Sequence, residues 1–308
     1  MTKLQVTDTV LLDFAAEVGA TGPVAVEGSR TRWELGGPSD PATRLVRAPT
    51  GIVDYVPDEM TVTVRCGTSV AELHEALASK GQRTALPERG GTVGGALAVG
   101  ENSLHVLGRG RVREAALQVR YVSDDGRVVT GGGPTVKNVT GFDLPRLLVG
   151  SLGTLGLLAE VILRTNPVPE VTRWFRSDNL DPFSVQDIVL RPSAVLWDGA
   201  TTWVELEGYG VAVDAELDRL RTHADLVEVP GAPTLPAFRW SVSPAQVRTI
   251  GEQFDEPWIA SVGVGTVWAS KPQPAEAADP VATALSARVK EQFDGGNRLN
   301  PGRTPGHR

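Results

Sequence analysis

The sequence predicts a mixed helix-and-strand protein in two regions, the first of which bears the marks of a large bound cofactor. Three observations carry this. Helix and strand signals alternate from residue 7 to residue 164, the texture of the chain changes just past Pro167, and three glycine-bearing loops interrupt the first region.

Residues 7–19 (TDTVLLDFAAEVG) read as an amphipathic helix with a Thr or Asp cap. VAVEG, residues 24–28, is a short strand that runs into a polar loop. Residues 44–48, 51–55 and 60–65 are short strands with alternating or β-branched character. Residues 68–80 form a helix that Ser69 caps, with Glu72 three positions on and Gly81 as its stop. Residues 115–123 are a strand, Asp125-Gly126 a hairpin turn and residues 127–130 the returning strand. Residues 143–149 suggest a helix, and LLAEVILR at 157–164 a buried strand.

Beyond residue 166 lie every tryptophan except Trp33 and most of the prolines, which places a domain boundary near 166–170. Helices are expected near 212–224 and 244–254, and strands near 202–206 and 258–268. KPQPAEAADP at 271–280 reads as a linker or loop, and a last helix at 281–293 leads into DGGNRLNPGR. There is no internal repeat.

The 308 residues suffice for one large domain or two modest ones. A hydrophobic fraction of 41% and a charged fraction of 22% are ordinary for a globular protein. The formal net charge of -7 argues against nucleic acid or an anionic membrane as the main partner, because both select clustered Lys and Arg. The single cysteine, Cys66, leaves no internal disulfide and no multi-cysteine metal site, and accords with a cytoplasmic location. The first twenty residues mix acids into their apolar run, so no signal peptide is expected. No apolar run approaches the ~20 residues of a membrane span, so no integral membrane segment is expected either. His74, His105, His223 and His307 are scattered, which argues against a histidine-rich metal centre.

The first glycine loop is Val26-Glu27-Gly28-Ser29-Arg30-Thr31-Arg32, directly after a strand. Successive N–H groups of such a turn can form an anion nest, and Ser29, Arg30, Thr31 and Arg32 add side-chain donors. The second comprises Leu86 and Pro87, then Gly90, Gly91 and Thr92, then Gly94 and Gly95, followed by a small apolar run to Gly100. It reads either as backbone lying against a ligand or as a tight turn before a close-packed helix. The third, KNVTGFDLPRLLVGSLGTLGLLAEVILR, is the most informative stretch of the chain. Glycine is costly inside regular structure, so Gly141, Gly150, Gly153 and Gly156 imply a sharp bend or a flat neighbour. Neither G-x-G-x-x-G nor G-x-x-x-x-G-K-[ST] occurs, which disfavours a Rossmann dinucleotide site and a P-loop.

In this order VEGSRTR, LPERGGTVGGALAVG, KNVTGFDLPRLLVGSLGTLGLLAEVILR and a terminal RLNPGR resemble the FAD-linked oxidases with the fold of p-cresol methylhydroxylase and vanillyl-alcohol oxidase. Within that family the chain is similar to the FAD-binding subunit of bacterial glycolate oxidase. The resemblance covers about residues 20–168 and the last ten or so. It implies an α+β fold: a p-cresol methylhydroxylase-type FAD-binding domain of two subdomains at 1–168, a small cap facing substrate or partner at 169–285, and a C-terminal segment, 286–308, returning towards the FAD domain.

It also implies which residues hold FAD. Val26 to Arg32 would cradle the pyrophosphate. Leu86 to Thr92, with Gly94, Gly95, Val99, Gly100 and Asn102, and the segment with Gly153, Thr154, Gly156, Leu157 and Leu158 would run along the ribityl chain and ring. Lys137 is the candidate for a cation beside the flavin, where it would stabilise the negative charge of the reduced ring; the other reading is a solvent-facing lysine before a loop. The chain departs from the family's pattern in places: Ser29 and Arg30 stand where glycines are usual, Leu152 where many relatives have Glu, and Phe142 where many have Tyr. Relatives that tether FAD do so through His or Cys in or near the glycine loops. None occurs in 26–32 or 86–95, so non-covalent FAD is expected.

No catalytic base is identifiable. His223 lies in a charged helix, and Tyr209, Arg239 and Trp240 are pocket candidates that no spacing selects. Three functions stay open. The first is the FAD-binding subunit of a glycolate-oxidase-like 2-hydroxy-acid dehydrogenase, passing electrons onward. Its implied partners are a larger FAD-linked catalytic subunit and an iron–sulfur subunit. The second is a stand-alone FAD-dependent oxidoreductase of an alcohol or hydroxy acid. The third is a non-catalytic scaffold or binding protein that retains the fold.

Overall fold

The computed structural model describes residues 8–134, 143–274 and 279–305. They form two compact units. One gathers the described parts of Met1–Ser103, Arg111–Pro167 and Ala277–His307; the other takes Leu104–Gly110 and the described part of Val168–Glu276. Lys137, Asn138, Gly141 and Phe142 lie outside the described residues.

The first unit is built on a five-stranded antiparallel sheet in the order Ile52–Val56, Thr61–Arg65, Leu157–Arg164, Ala116–Val122, Val128–Gly132. Leu157–Arg164 is central, and its first five residues are all buried, four of them apolar. Leu11, Phe14 and Val18 of helix Thr9–Val18 and Leu73 and Leu77 of helix Val70–Ala78 share one apolar cluster with Val62, Val64, Val161 and Leu163 of the strands.

Glu160, 2% exposed, is the charged exception in the central strand. Arg120 (3.0 Å) and Arg65 (3.6 Å) flank it, and Arg65 also donates to Asp8 (2.6 Å). Asp8 in turn accepts from the N–H groups of Val10 and Leu11 at the start of the first helix. One ion network therefore ties that helix to three strands.

After the first helix comes a parallel pair, Val24–Val26 with Arg44–Val46. The terminal segment joins it: Leu299 bridges Val24, Val24 N–H donates to Arg298 O (2.8 Å), and Asn300 N–H donates to Val24 O (2.8 Å). Helix Pro280–Asp294 delivers this segment. The Asp294 carboxylate accepts from the N–H groups of Arg298 (2.9 Å) and Leu299 (2.7 Å). Arg298 then donates to the carbonyls of Gly22, Asp124, Val18 and Thr21, which anchors the end of the chain against its beginning.

The second unit is a seven-stranded antiparallel sheet in the order Val227–Val229, Val171–Ser177, Thr202–Gly208, Pro192–Trp197, Trp258–Ser261, Thr266–Ala269, Phe238–Ser241. Val213, Leu217 and Leu220 of helix Gly210–Arg221 cover part of it. Trp197 meets Phe183 and Trp258 edge to face at 5.4 and 5.3 Å, so these aromatics are core. Where one helix was expected at 244–254, two 3₁₀ turns stand, Pro244–Arg248 and Ile250–Gln253, broken at Thr249 (φ -113°, ψ 1°). Where one strand was expected at 258–268, Gly263 and Gly265 adopt φ of 79° and 83° and fold it into a hairpin.

Leu104–Gly110 belongs to this unit, lying against strand Pro192–Trp197. There His105 Nδ1 lies 2.5 Å from Glu205 Oε2, and Arg109 lies 4.0 Å from Glu207. A Cβ on Gly108 would fall 2.8 Å from Ser193 Oγ, so only glycine lets this segment lie so close.

Candidate cofactor site

In the first unit the three glycine loops meet around two adjoining recesses. Val26, Gly28, Thr92, Gly95, Ala98, Leu152 and Asn300 line both. Glu27, Gly94, Gly153, Leu157 and Leu158 line the first, and Ser29, Arg30, Thr31, Arg32 and Val99 the second. These places bring together most of the residues the sequence singled out.

The second loop is largely a helix, Val93–Val99. Thr92 Oγ1 caps it by accepting from Gly95 N–H (3.1 Å), and Gly100 (φ 66°) ends it. The helix presses on the turn that follows strand Thr61–Arg65, since a Cβ on Gly94 would fall 2.9 Å from both Cβ and O of Cys66. A Cβ on Gly91 would fall 2.5 Å from Thr31 Oγ1, which shows how tightly loops one and two abut.

The remaining singled-out residues that the structure describes do not line the recesses. Leu86 is 1% exposed in the core and Pro87 is buried. Gly90 O accepts from Arg32 Nη1 (3.0 Å). Asn102 Oδ1 accepts from Val112 N–H (2.9 Å). The buried Thr154 hydroxyl donates to Ser151 O (2.7 Å). A Cβ on Gly156 would fall 2.4 Å from the Tyr121 ring, so this glycine makes room for a side chain of its own unit.

Arg32 is the most constrained cation of the first loop, its side chain 5% exposed. Its Nε donates to Glu101 Oε2 (2.8 Å), and Arg89 pairs with the other oxygen of that carboxylate. Glu101 thus fixes Arg32 from the loop that follows the helix. Arg30 takes φ 56° and is held by Glu27 and by the Trp33 ring, 5.1 Å from its guanidinium. Arg303 of the terminal segment lies over the same ring at 4.9 Å.

Leu152 also takes a left-handed backbone, φ 54°, between Gly150 and Gly153. A non-glycine residue there costs about 1 kcal/mol and persists only when its surroundings hold it. Here both polar atoms of its backbone are engaged: N–H donates to Ala98 O (2.8 Å), and the carbonyl accepts from Asn300 Nδ2 (2.6 Å).

Sequence reasoning missed Ala48, Gly67, Ala98, Trp33, Leu35 and Asn300 as lining residues, and took Cys66 only as a small buried residue. Cys66 is 1% exposed, and burial, with Glu160 nearby, pushes its thiol well above the usual range. RLNPGR was the signal for Asn300.

The recess fits an elongated, partly anionic group. Its walls are glycine and alanine over much of their length, and two buried polar atoms facing it have no partner among the described residues, Arg32 Nη2 and Asn300 Oδ1. One is a cationic donor beside the first loop; the other is an acceptor. FAD offers the matching phosphate oxygens and hydroxyl or N–H groups.

Residues 11–132 match the FAD binding domain family. The fold resembles that of alkyldihydroxyacetonephosphate synthase, with a TM-score of 0.65 over 95% of this chain and 73% of that one, at 15% identity. The fold is therefore that of the FAD-binding oxidases of the p-cresol methylhydroxylase type.

Among curated relatives it is 33% identical to glycolate oxidase subunit GlcE of Escherichia coli over 208 residues, 64% of this chain and 59% of that protein. It is 30% identical to glycolate oxidase subunit GlcD of Bacillus subtilis over 45% of this chain and 31% of that one. It is 32% identical to the mitochondrial D-lactate dehydrogenase (cytochrome) of Arabidopsis thaliana over 37% of this chain and 20% of that one. The matches thus span less than two thirds of each relative's length.

Proposed function

We propose that this chain is the FAD-binding subunit of a glycolate-oxidase-like 2-hydroxy-acid dehydrogenase. In this reading it works in the cytoplasm with a larger FAD-linked catalytic subunit and an iron–sulfur subunit, and the second unit is a small cap that faces substrate or partner. The similarity to GlcE supports it. The observation that carries it is the recess, with Arg32 and Asn300 presenting one donor and one acceptor that have no partner among the described residues.

When bound, FAD supplies the two-electron chemistry. The protein's own residues bind and orient it. Arg32, fixed by Glu101, donates to the pyrophosphate; Gly28, Gly95 and Gly153 leave room for the cofactor; Leu157 and Leu158 shield its apolar part. The raised thiol of Cys66 stays protonated and is a poor nucleophile, which supports non-covalent FAD.

The test is purification of the chain alone and with its two partners, followed by anaerobic addition of glycolate or D-lactate. Yellow protein that releases FAD on acid precipitation, with flavin bleached only in the assembly, is the expected result. Bleaching of the chain alone would favour a stand-alone oxidoreductase. A colourless chain that takes up no FAD would leave a scaffold.

A further inference from the structure

The structure assigns a ligand-binding role to Asn300, in the terminal RLNPGR segment: we propose that its Oδ1 accepts a hydrogen bond from a hydroxyl or ring N–H of the bound cofactor while its Nδ2 latches the strained Leu152. This rests on the FAD reading above. The orientation of the amide is dictated by its partner. A carbonyl oxygen only accepts, so Leu152 O at 2.6 Å requires the NH₂ of Asn300, and Oδ1 must point the other way. That atom is buried, lacks a partner among the described residues, and belongs to a residue lining both recesses. A buried acceptor left unpaired is costly, and a ligand donor removes the cost.

The surroundings hold Asn300 in place for this. Its backbone takes φ 44°, a region asparagine tolerates better than most residues, and its N–H is bound to Val24 O. Asp294 and Lys290 fix the preceding Leu299, the ammonium donating to Leu299 O at 3.3 Å. The terminal segment is therefore a clasp: it grips the glycine segment through one end of an amide and the cofactor through the other.

The test is titration of FAD into apoprotein, read by quenching of flavin fluorescence, for wild type, Asn300→Gly and Asn300→Asp. Glycine keeps the left-handed backbone and removes the whole amide. Aspartate keeps an acceptor towards the recess and loses the donor to Leu152. Unfolding temperatures of the apoproteins are measured alongside.

The expected result is FAD affinity about tenfold weaker in N300G, with N300D between it and wild type. FAD should also slow proteolysis of the terminal segment in wild type and less so in N300G. Wild-type affinity in N300G, whatever its unfolding temperature, overturns the assignment. Wild type that binds no FAD at all overturns the functional reading instead, so the two failures are distinct.

Discussion

The ammonium of Lys290 donates to the carbonyl of Thr154, 136 residues away in sequence and 2.8 Å away in space. The same ammonium pairs with Asp294 (2.5 Å), whose side chain is fully buried. Lys290 thereby joins the last helix to the glycine segment that lines the recess. Lys290→Met leaves a buried carboxylate without its cation, a change that typically costs about 3 kcal/mol. We expect a loss of that order in urea denaturation, partly recovered in the K290M/D294N double variant. A loss near zero would show that the backbone N–H groups of Arg298 and Leu299 suffice to hold Asp294.

Arg32 and Glu101 give a second expectation, on ligand affinity. Arg32→Met removes a charge-assisted donor and should weaken FAD binding about 10- to 100-fold. Glu101→Gln keeps the shape and removes the carboxylate that orients Arg32, so its loss should be smaller. Fluorescence titration at two salt concentrations checks this: the wild-type affinity should fall with salt more steeply than that of R32M. Equal affinities for all three proteins would place the phosphates elsewhere.

Much of the first unit was legible in the sequence because its signals are local. Ser69 caps its helix by accepting from Glu72 N–H (3.1 Å), and LLAEVILR reads as a buried strand because both faces are covered. The glycine loops were legible as a set through the strain that glycine relieves. What glycine does at each position was not, because Gly94 and Gly156 answer to Cys66 and Tyr121, neighbours that only the folded chain supplies. Asn300 was hidden for the same reason, its partner Leu152 being 148 residues away. The excursion of Leu104–Gly110 into the second unit carries no compositional mark. Strands Val171–Ser177 and Pro192–Trp197 were unread because arginines interrupt the apolar pattern of the first, while the second is buried almost throughout and so carries no alternation.

The glycines divide into two kinds that a pair of substitutions separates. At Gly94 an added methyl meets backbone and side chain of Cys66 at 2.9 Å, so Gly94→Ala should cost about 1–3 kcal/mol through overpacking. At Gly153 (φ 74°) the nearest atom lies at an ordinary 3.6 Å, and Gly153→Ala should cost only the left-handed strain, about 1 kcal/mol. Thermal unfolding of the apoproteins should rank G94A below G153A. The reverse order would mean that the helix Val93–Val99 shifts easily and that its contact with Cys66 is not what requires glycine.

The ion network around Glu160 makes stability depend on pH in a direction that can be worked out. Burial raises the carboxyl of Glu160; Arg120 and Arg65 pull it down, Asp8 pushes it up, and the balance is a pKa above the usual 4.5. A folded-state pKa above the unfolded one means that the folded protein binds the proton first as pH falls. The contribution of Glu160 is therefore fully present below 4.5 and is lost as pH rises through the raised value. Asp8 runs the other way: burial raises its carboxyl, but Arg65 and the helix N–H groups outweigh that and leave it below 3.8, so its contribution is present above 3.8 and fades in stronger acid. Glu160→Gln removes the first dependence and keeps the second. The stability of wild type relative to E160Q, from urea denaturation at steps between pH 7 and 4.5, should therefore grow as pH falls. A difference that is flat or shrinks towards acid would mean that Glu160 is ionised throughout, with the two arginines outweighing its burial.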